Sequence, residues 1–332
     1  MAVLVLLFSG LLSWHWTHRN LNLGSPEISY QVPAGRSLTG LINDLHEQRI
    51  INVPVMFARL YARLSHQQGS VKAGEYAITE NMNLITLLAH LRSGEVIQRS
   101  ITFPEGWRFS EWRTHLQNQP LITQTLPTMT DAELMDWLGL PGQATEGQFF
   151  PDTYQYTRNE SDVEILRRAQ QRMQAVLADV WQNRSPGALL KTPYEALILA
   201  SIVEKETGLH TERGAIASVF LNRLQRGMKL QTDPTVIYGV ENFDGNLTRT
   251  HLRTRTPFNT YVIQGLPPTP ICNPGLASLR AVLHPEVTDY LYFVARGDGS
   301  SYFSETLAEH NAAVLRYQKD GRVEDYRSAP GP

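Results

Sequence analysis

The stretch Ala200-Ser201-Ile202-Val203-Glu204-Lys205-Glu206-Thr207-Gly208 closes a run, ALILASIVEKET, that is apolar almost all the way round and then meets two carboxylates. Upstream lies a helix start, with Thr192 as cap, Pro193 at the first helical position and Glu195 at the third. Between Ala196 and Val203 no wide polar stripe remains, so this helix belongs at the centre of a core, and Gly208 is a suitable terminator. Glu204 then stacks over Ala200 and Ser201, while Glu206 lies about 200° further round the axis, over Ile202 and Val203. A buried carboxyl group is costly unless it is paired, hydrogen-bonded or protonated. The small residues beside Glu204 leave room for a ligand, and a helix C-terminus disfavours a negative charge. A carboxylic acid kept protonated near neutral pH is what a general acid must be. The plain alternative is a helix-end acid paired with Lys205, Arg213 or a loop amide.

Working outward, ERGAIASVFLNRLQRG reads as a second helix with an apolar face of Ala215, Ile216, Val219, Phe220 and Leu224, ended by Gly227. LQTDPTVIYGV follows, with polar loop chemistry at Gln231, Thr232 and Asp233. Beyond it lie TPFNTYVIQGLPPTPICNPG, the helix LASLRAVLHPE, a hairpin YLYFVARGDGSSYFS with a Gly-Asp-Gly turn, and a terminal helix ETLAEHNAAVLRYQ. Upstream, SDVEILRRAQQRMQAVLADVWQNR has amphipathic spacing and opens with a capping box from Ser161 to Glu164. It is preceded by the aromatic stretch EGQFFPDTYQYTRN.

Near the N-terminus, Ile28, Tyr30 and Val32 alternate as a strand, Pro33-Ala34-Gly35 turns, and Ser37 caps a helix with an apolar face of Leu38, Leu41, Ile42 and Leu45. A second helix VPVMFARLYARL, a strand VKAGEYAI and a helix opened by Asn83 and closed by Gly94 complete a βααβ order. RSITFPEGWRFSEWRTHL repeats the plan of strand, Pro-x-Gly turn and helix once. The first residues, MAVLVLLFSGLLSWHW, are apolar, with Arg19 the first full charge. An anchoring helix, a cleaved signal and a buried core helix compete for that segment, and the anchor is the favoured reading, with Trp14 and Trp16 at the membrane interface.

Composition narrows the classes. A chain of 332 residues that is 42% hydrophobic and 19% charged can bury two cores. The formal net charge of −2, with no basic block, argues against nucleic acid as a partner. The single cysteine, Cys272, allows no internal disulfide and reads as a packing residue. There is no metal-ligand cluster, Walker A loop or G-x-S-x-G elbow, so no metal and no cofactor is implied.

Several segments, in this order, carry a resemblance: ASIVEKETG, SVFLNRL, MKLQTDPTVIYG, FNTY, GLPPTPICNPGLASLRAVLHP and YLYFVA. Together they resemble the MltG-type (YceG-like) endolytic murein transglycosylases. The pattern of YQVPAGRSLTGLINDL resembles a LysM domain, a glycan-binding module, with a βα unit lacking any ligand as the alternative. The resemblance implies an α+β, membrane-anchored chain: anchor 1–18, linker 19–27, LysM-like βααβ domain 28–100, and a mixed α/β catalytic domain 101–332 built round a buried helix. It implies a periplasmic lyase on the inner membrane that cuts nascent peptidoglycan strands between N-acetylmuramic acid and N-acetylglucosamine. The cut leaves 1,6-anhydro ends and terminates elongation. Glycan strands are then the substrate, and peptidoglycan synthases (penicillin-binding proteins) are candidate partners. By the same resemblance Glu204 is the catalytic acid, and Gln231, Asp233, Asn259 and Tyr261 line the substrate site. Two rivals stand beside this reading: a hydrolase pairing Glu204 with Asp233 or Asp152, and a non-catalytic glycan-binding scaffold.

Overall fold

The computed structural model describes residues 11–64, 71–206 and 209–319. By compactness the chain divides into two units, Met1–Ser100 with Gln155–Glu160, and Ile101–Tyr154 with Ser161–Pro332.

In the first unit, strand β1 (Glu27–Val32) runs antiparallel to β2 (Gly74–Thr79), with Tyr30 opposite Tyr76 and Val32 opposite Gly74. Helices α1 (Leu38–Glu47) and α2 (Val55–Leu64) connect them, and α3 (Leu84–Ser93) follows. The turn before α1 needs the left-handed backbone that Gly35 supplies, with φ +73°. Ser37 then accepts the amide of Gly40, and Leu38, Leu41, Ile42 and Leu45 are buried, as their spacing demands. They pack with Tyr30, Tyr76, Ile78 and the leucines of α3. Asn83 and Thr86 cap α3 reciprocally, and Gly94 ends it at φ 72°. Glu75 is 2% exposed. It is held by Arg99 at 2.6 Å, Arg158 at 3.2 Å and the Ser29 hydroxyl. Burial alone would raise this carboxyl group, but those hydrogen bonds outweigh it and bring it down to about 2.

Residues 11–18 are helical, and Trp16 meets Phe57 edge-on at 5.1 Å. Among the described residues no helix is long and apolar enough to cross a membrane. Residues 1–10, most of the segment expected to form the anchor, lie outside the described residues.

Two further two-stranded sheets pair β3 (Arg99–Thr102) with β4 (Thr153–Tyr156), and β5 (Tyr292–Ala295) with β6 (Ser301–Ser304). The second unit is otherwise helical. The Pro104–Gly106 turn, with Gly106 at φ +77°, leads into α4 (Phe109–Gln117), and α5 (Asp131–Trp137) follows. Helix α6 (Asp162–Gln182) departs from expectation at its start. Ser161 occupies the cap position, but its hydroxyl makes no cap bond. The neighbouring Asp162, fully buried, accepts the amides of Val163, Thr125 and Leu126 instead. Tertiary partners thus replaced the local capping box.

Helix α7 (Pro193–Glu206) is the axis of this unit, and every residue from Ala196 to Val203 is buried. Thr192 accepts the amide of Glu195 at 3.1 Å, fixing the start. Leu199, Ile202 and Val203 share one core with Ile216 and Phe220 of α8 (Arg213–Gln225) and with Leu279 and Leu283 of α11 (Leu276–Leu283). Short helices α9 (Asp233–Tyr238) and α10 (Arg249–Arg253) carry the loops between, and α12 (Leu307–Val314) follows β6.

Candidate active site

The two acids at the end of α7 have different surroundings. The Glu204 side chain is 5% exposed, and its Oε1 accepts from Arg213 Nη2 at 3.0 Å. Its Oε2 accepts the backbone amide of Gly275 at 3.0 Å, the residue that caps α11. Glu204 thus ends its own helix but sits at the positive end of another, where a carboxylate is favoured. Gly275 is close-packed here, because a Cβ on it would fall 1.8 Å from Glu105 Oε1. Ala200 and Ser201, expected to leave space beside Glu204, are fully buried. The Ser201 hydroxyl accepts the amide of Ile271 at 3.0 Å, and the buried Cys272 thiol donates to the Ser201 carbonyl. Glu204 thus has two of the partners expected of a helix-end acid, Arg213 and a loop amide.

Glu206, two residues on, lines a cleft of about 500 Å³. Gln231, Thr232, Asp233 and Tyr261 line the same cleft. Gln231 adopts φ 52°, a left-handed residue that swings the chain so that Thr232 and Asp233 open α9 beside the end of α7. Thr260 holds this turn: its carbonyl accepts the Gln231 amide at 3.2 Å, and its hydroxyl accepts the Thr232 amide at 3.0 Å. The Thr232 hydroxyl donates to Glu206 Oε1. Tyr261 donates its phenol proton to Asp233 Oδ1 at 2.7 Å. Also in the lining, Arg223 donates to the carbonyls of Leu230 and Leu291, each at 2.7 Å, and lies 5.1 Å from the Tyr292 ring centre. His310 stacks on Tyr292 at 5.2 Å.

The electrostatics of the cleft favour a proton on Glu206. Burial pushes its carboxyl group up to about 7, and the negative Asp233 adds to the shift, against the Thr232 hydrogen bond and the Arg223 charge. Burial, then the bond to Asp233, raises the Tyr261 phenol far above its ordinary range. Burial and Arg223 lower His310, which keeps its ring neutral at pH 7.

The sequence-derived set therefore divides. Gln231, Asp233 and Tyr261 meet in one cleft, whereas Glu204 and Asn259 are not among its lining residues. Asn259 is fully buried. Its side-chain amide donates to the carbonyls of His251, Leu252 and Thr254, and its Oδ1 accepts the Tyr261 amide at 3.0 Å. It organises the loop that presents Tyr261. Asp152 is exposed, accepts the amide of Thr153, and is likewise absent from the cleft. Glu206, Arg223, Tyr292 and His310 are among the cleft groups that sequence reasoning did not assign. The one available signal was that Glu206 is the last helical residue before a loop. Glu146 is a second buried acid pushed up to about 7 by burial; it accepts the Phe109 amide and the Tyr238 hydroxyl and lines no described cavity. Among the described residues no group of His, Cys, Asp or Glu is arranged to hold a metal ion.

Comparison with known proteins adds a family. The model of the YceG-like family matches residues 30–316. The endolytic murein transglycosylase of Bacillus subtilis (strain 168) is 29% identical over 307 residues, covering 87% of this chain and 84% of that one. The protein of the same name from Streptococcus pneumoniae (serotype 2, strain D39) is 25% identical over 330 residues, and the match spans only 58% of its length. The crystal structure of a yceG-like protein from Listeria monocytogenes superposes with a TM-score of 0.55 at 28% identity, covering 86% of this chain and 98% of that one.

Proposed function

Because the chain belongs to the YceG-like family, we propose that it is a lytic murein transglycosylase that cuts glycan strands internally, with Glu206 as its single acid–base group. The observation that carries this reading is a carboxyl group raised to about 7 inside a cleft of about 500 Å³, beside Gln231, Asp233 and Tyr261. The protonated Glu206 gives its proton to the glycosidic oxygen as the bond to C1 of N-acetylmuramic acid breaks. The resulting carboxylate takes the proton of the C6 hydroxyl of the same sugar as that oxygen attacks C1. Every atom is accounted for without water, and the product ends in a 1,6-anhydro ring. The Thr232 hydroxyl orients Glu206 and stabilises its carboxylate form between the two steps. Gln231, Asp233 and Tyr261 supply hydrogen bonds to sugar hydroxyls, and Asn259 acts through Tyr261. The acetamido group of the substrate helps to stabilise the oxocarbenium-like state.

The wider reading follows the same family. The first unit binds N-acetylglucosamine-containing glycan in the manner of a LysM domain. Residues 1–18 anchor the chain in the inner membrane with the catalytic unit in the periplasm. There the enzyme works beside peptidoglycan synthases and ends strand elongation.

The deciding experiment compares Glu206→Gln and Glu204→Gln on isolated strands, with the ends released read by mass spectrometry and folding read by thermal melts. Anhydro ends should vanish with Glu206→Gln and persist with any Glu204→Gln protein that folds. The opposite pattern would return the acid role to Glu204. A second reading, hydrolysis with Asp233 as a second carboxylate, is favoured by one fact: Asp233 lines the same cleft. Product ends one water heavier than the anhydro form would establish it.

A further inference from the structure

Helix α2 packs Val55, Phe57 and Tyr61, partly buried, against the core but turns three other large apolar side chains outward. Only the small Ala58 and Ala62 are buried on it. Met56, Leu60 and Leu64, one turn apart along a single stripe, are 79%, 52% and 70% exposed. Arg59 and Arg63 stand beside that stripe and are also exposed, Arg59 donating through Nη2 to Asn43 Oδ1 at 2.6 Å, and the helix, VMFARLYARL, contains no acid. A helix on the water-facing side of a domain normally turns charged and polar residues outward. An outward face of leucine, methionine and arginine without any carboxylate is the composition of a helix lying in a membrane interface.

The neighbouring segment has the same character. Within helical residues 11–18, Leu11 is 68% and Trp14 is 63% exposed, while Thr17 is buried. Trp16 meets Phe57 of α2, so the two helices are in direct contact in the first unit. The sequence before them, MAVLVLLFSG, carries no charge.

We propose that α2 is a membrane-interface helix: Met56, Leu60 and Leu64 enter the boundary between headgroups and acyl chains, and Arg59 and Arg63 meet anionic lipid phosphates. A protein partner fits the stripe less well. Three side chains on one helix are a small fraction of the ~800 Å² that each side of a stable protein interface buries. A bilayer needs no matching surface, and arginine stems cover apolar area while their heads stay wet. The inference goes beyond an N-terminal tether, which by itself would leave the first unit free to swing. With α2 docked, that unit is held against the lipid surface.

The test uses the full chain reconstituted into vesicles of phosphatidylethanolamine and phosphatidylglycerol. Single cysteines at positions 56, 60 and 64 carry an environment-sensitive fluorophore, and the unsubstituted chain checks that the buried Cys272 takes no label. Brominated acyl chains should quench all three labels. Quenching at position 60 should be lost when Arg59 and Arg63 are both replaced by glutamate, or when phosphatidylcholine replaces the anionic lipid. Circular dichroism confirms that each variant is folded. Equal emission in brominated and plain vesicles would overturn the proposal. So would efficient label-to-label transfer between copies, which would make the stripe a self-association surface. Neither result depends on turnover, so failure here is separable from failure of the Glu206 mechanism.

Discussion

Glu204 and Glu206 lie two residues apart on one helix, and their surroundings differ in kind. Glu204 is clamped between the Arg213 guanidinium and the Gly275 amide, so both of its oxygens are committed to fixed partners. Glu206 has a hydroxyl as its hydrogen-bond donor, another carboxylate nearby and an open cleft in front. The first arrangement neutralises a buried charge and ties three segments together. The second leaves the charge poorly compensated beside an open cleft. Burial by itself distinguishes nothing here; what distinguishes the two acids is whether the neighbour is a cation or a cavity.

The strongest way to break this comparison is Glu206→Gln. The amide can neither give nor take the proton, so turnover should fall by at least about 10²–10⁴-fold with the melting temperature unchanged or higher. Near-normal release of anhydro ends would show that the proton comes from elsewhere. Glu204→Gln should do the reverse. Losing the ion pair with Glu204 leaves the buried Arg213 to the more distant Glu105 at 3.8 Å, which should cost up to about 3–5 kcal/mol in urea unfolding, with a much smaller effect on the turnover of folded protein. Adding Arg213→Met should recover part of that loss, because the under-compensated buried cation is then gone. Asn259→Ala ranks next. The carbonyls of His251 and Leu252 in α10 and of Thr254 just after it lose their donor, which should cost about 1–3 kcal/mol and raise KM through a loosened Tyr261.

The smallest effect sharpens the electrostatic half of the comparison. The donating limb of the pH profile should fall as pH rises through about 7, where Glu206 loses its proton. Thr232→Val removes a bond that favours the carboxylate, so this limb should move upward by about one pH unit. An unmoved limb would mean that another group sets it. Stability follows the same proton. The folded carboxyl group is raised to about 7 from an ordinary 4.5, so between those values the folded state binds more protons than the unfolded one. Its contribution is therefore complete below about pH 4.5 and is lost as pH rises through about 7. Glu206→Gln should remove that share of the pH dependence, while Glu146, also near 7, keeps its own.

Much of the fold was legible because it is written in short-range chemistry. The Thr192 cap, the all-apolar run from Ala196 to Val203, the Gly35 and Gly106 turns and the Asn83–Gly94 helix are local patterns, and each is present. The Ser161 capping box was the local pattern that failed, because Asp162 found better partners 36 and 37 residues away in the chain. The QTDPT and NTY motifs contribute Gln231, Asp233 and Tyr261 to one cleft. For Asn259 the same motif marked the residue that shapes the loop.

By itself the sequence determined that a central apolar helix ends in acids and that a polar loop rich in hydroxyl and carboxyl groups accompanies it. Helical geometry also determined that Glu204 and Glu206 point to different faces. It could not determine which face meets a cavity, since α7 is buried all the way round from Ala196 to Val203. Only the tertiary structure decided that. It brought Arg213 and the start of α11 to Glu204, and Thr232 with an open cleft to Glu206. The physical reason is that a carboxyl group's chemistry is set by the charges and space within a few ångströms of it, and those come from segments up to 71 residues distant in the chain.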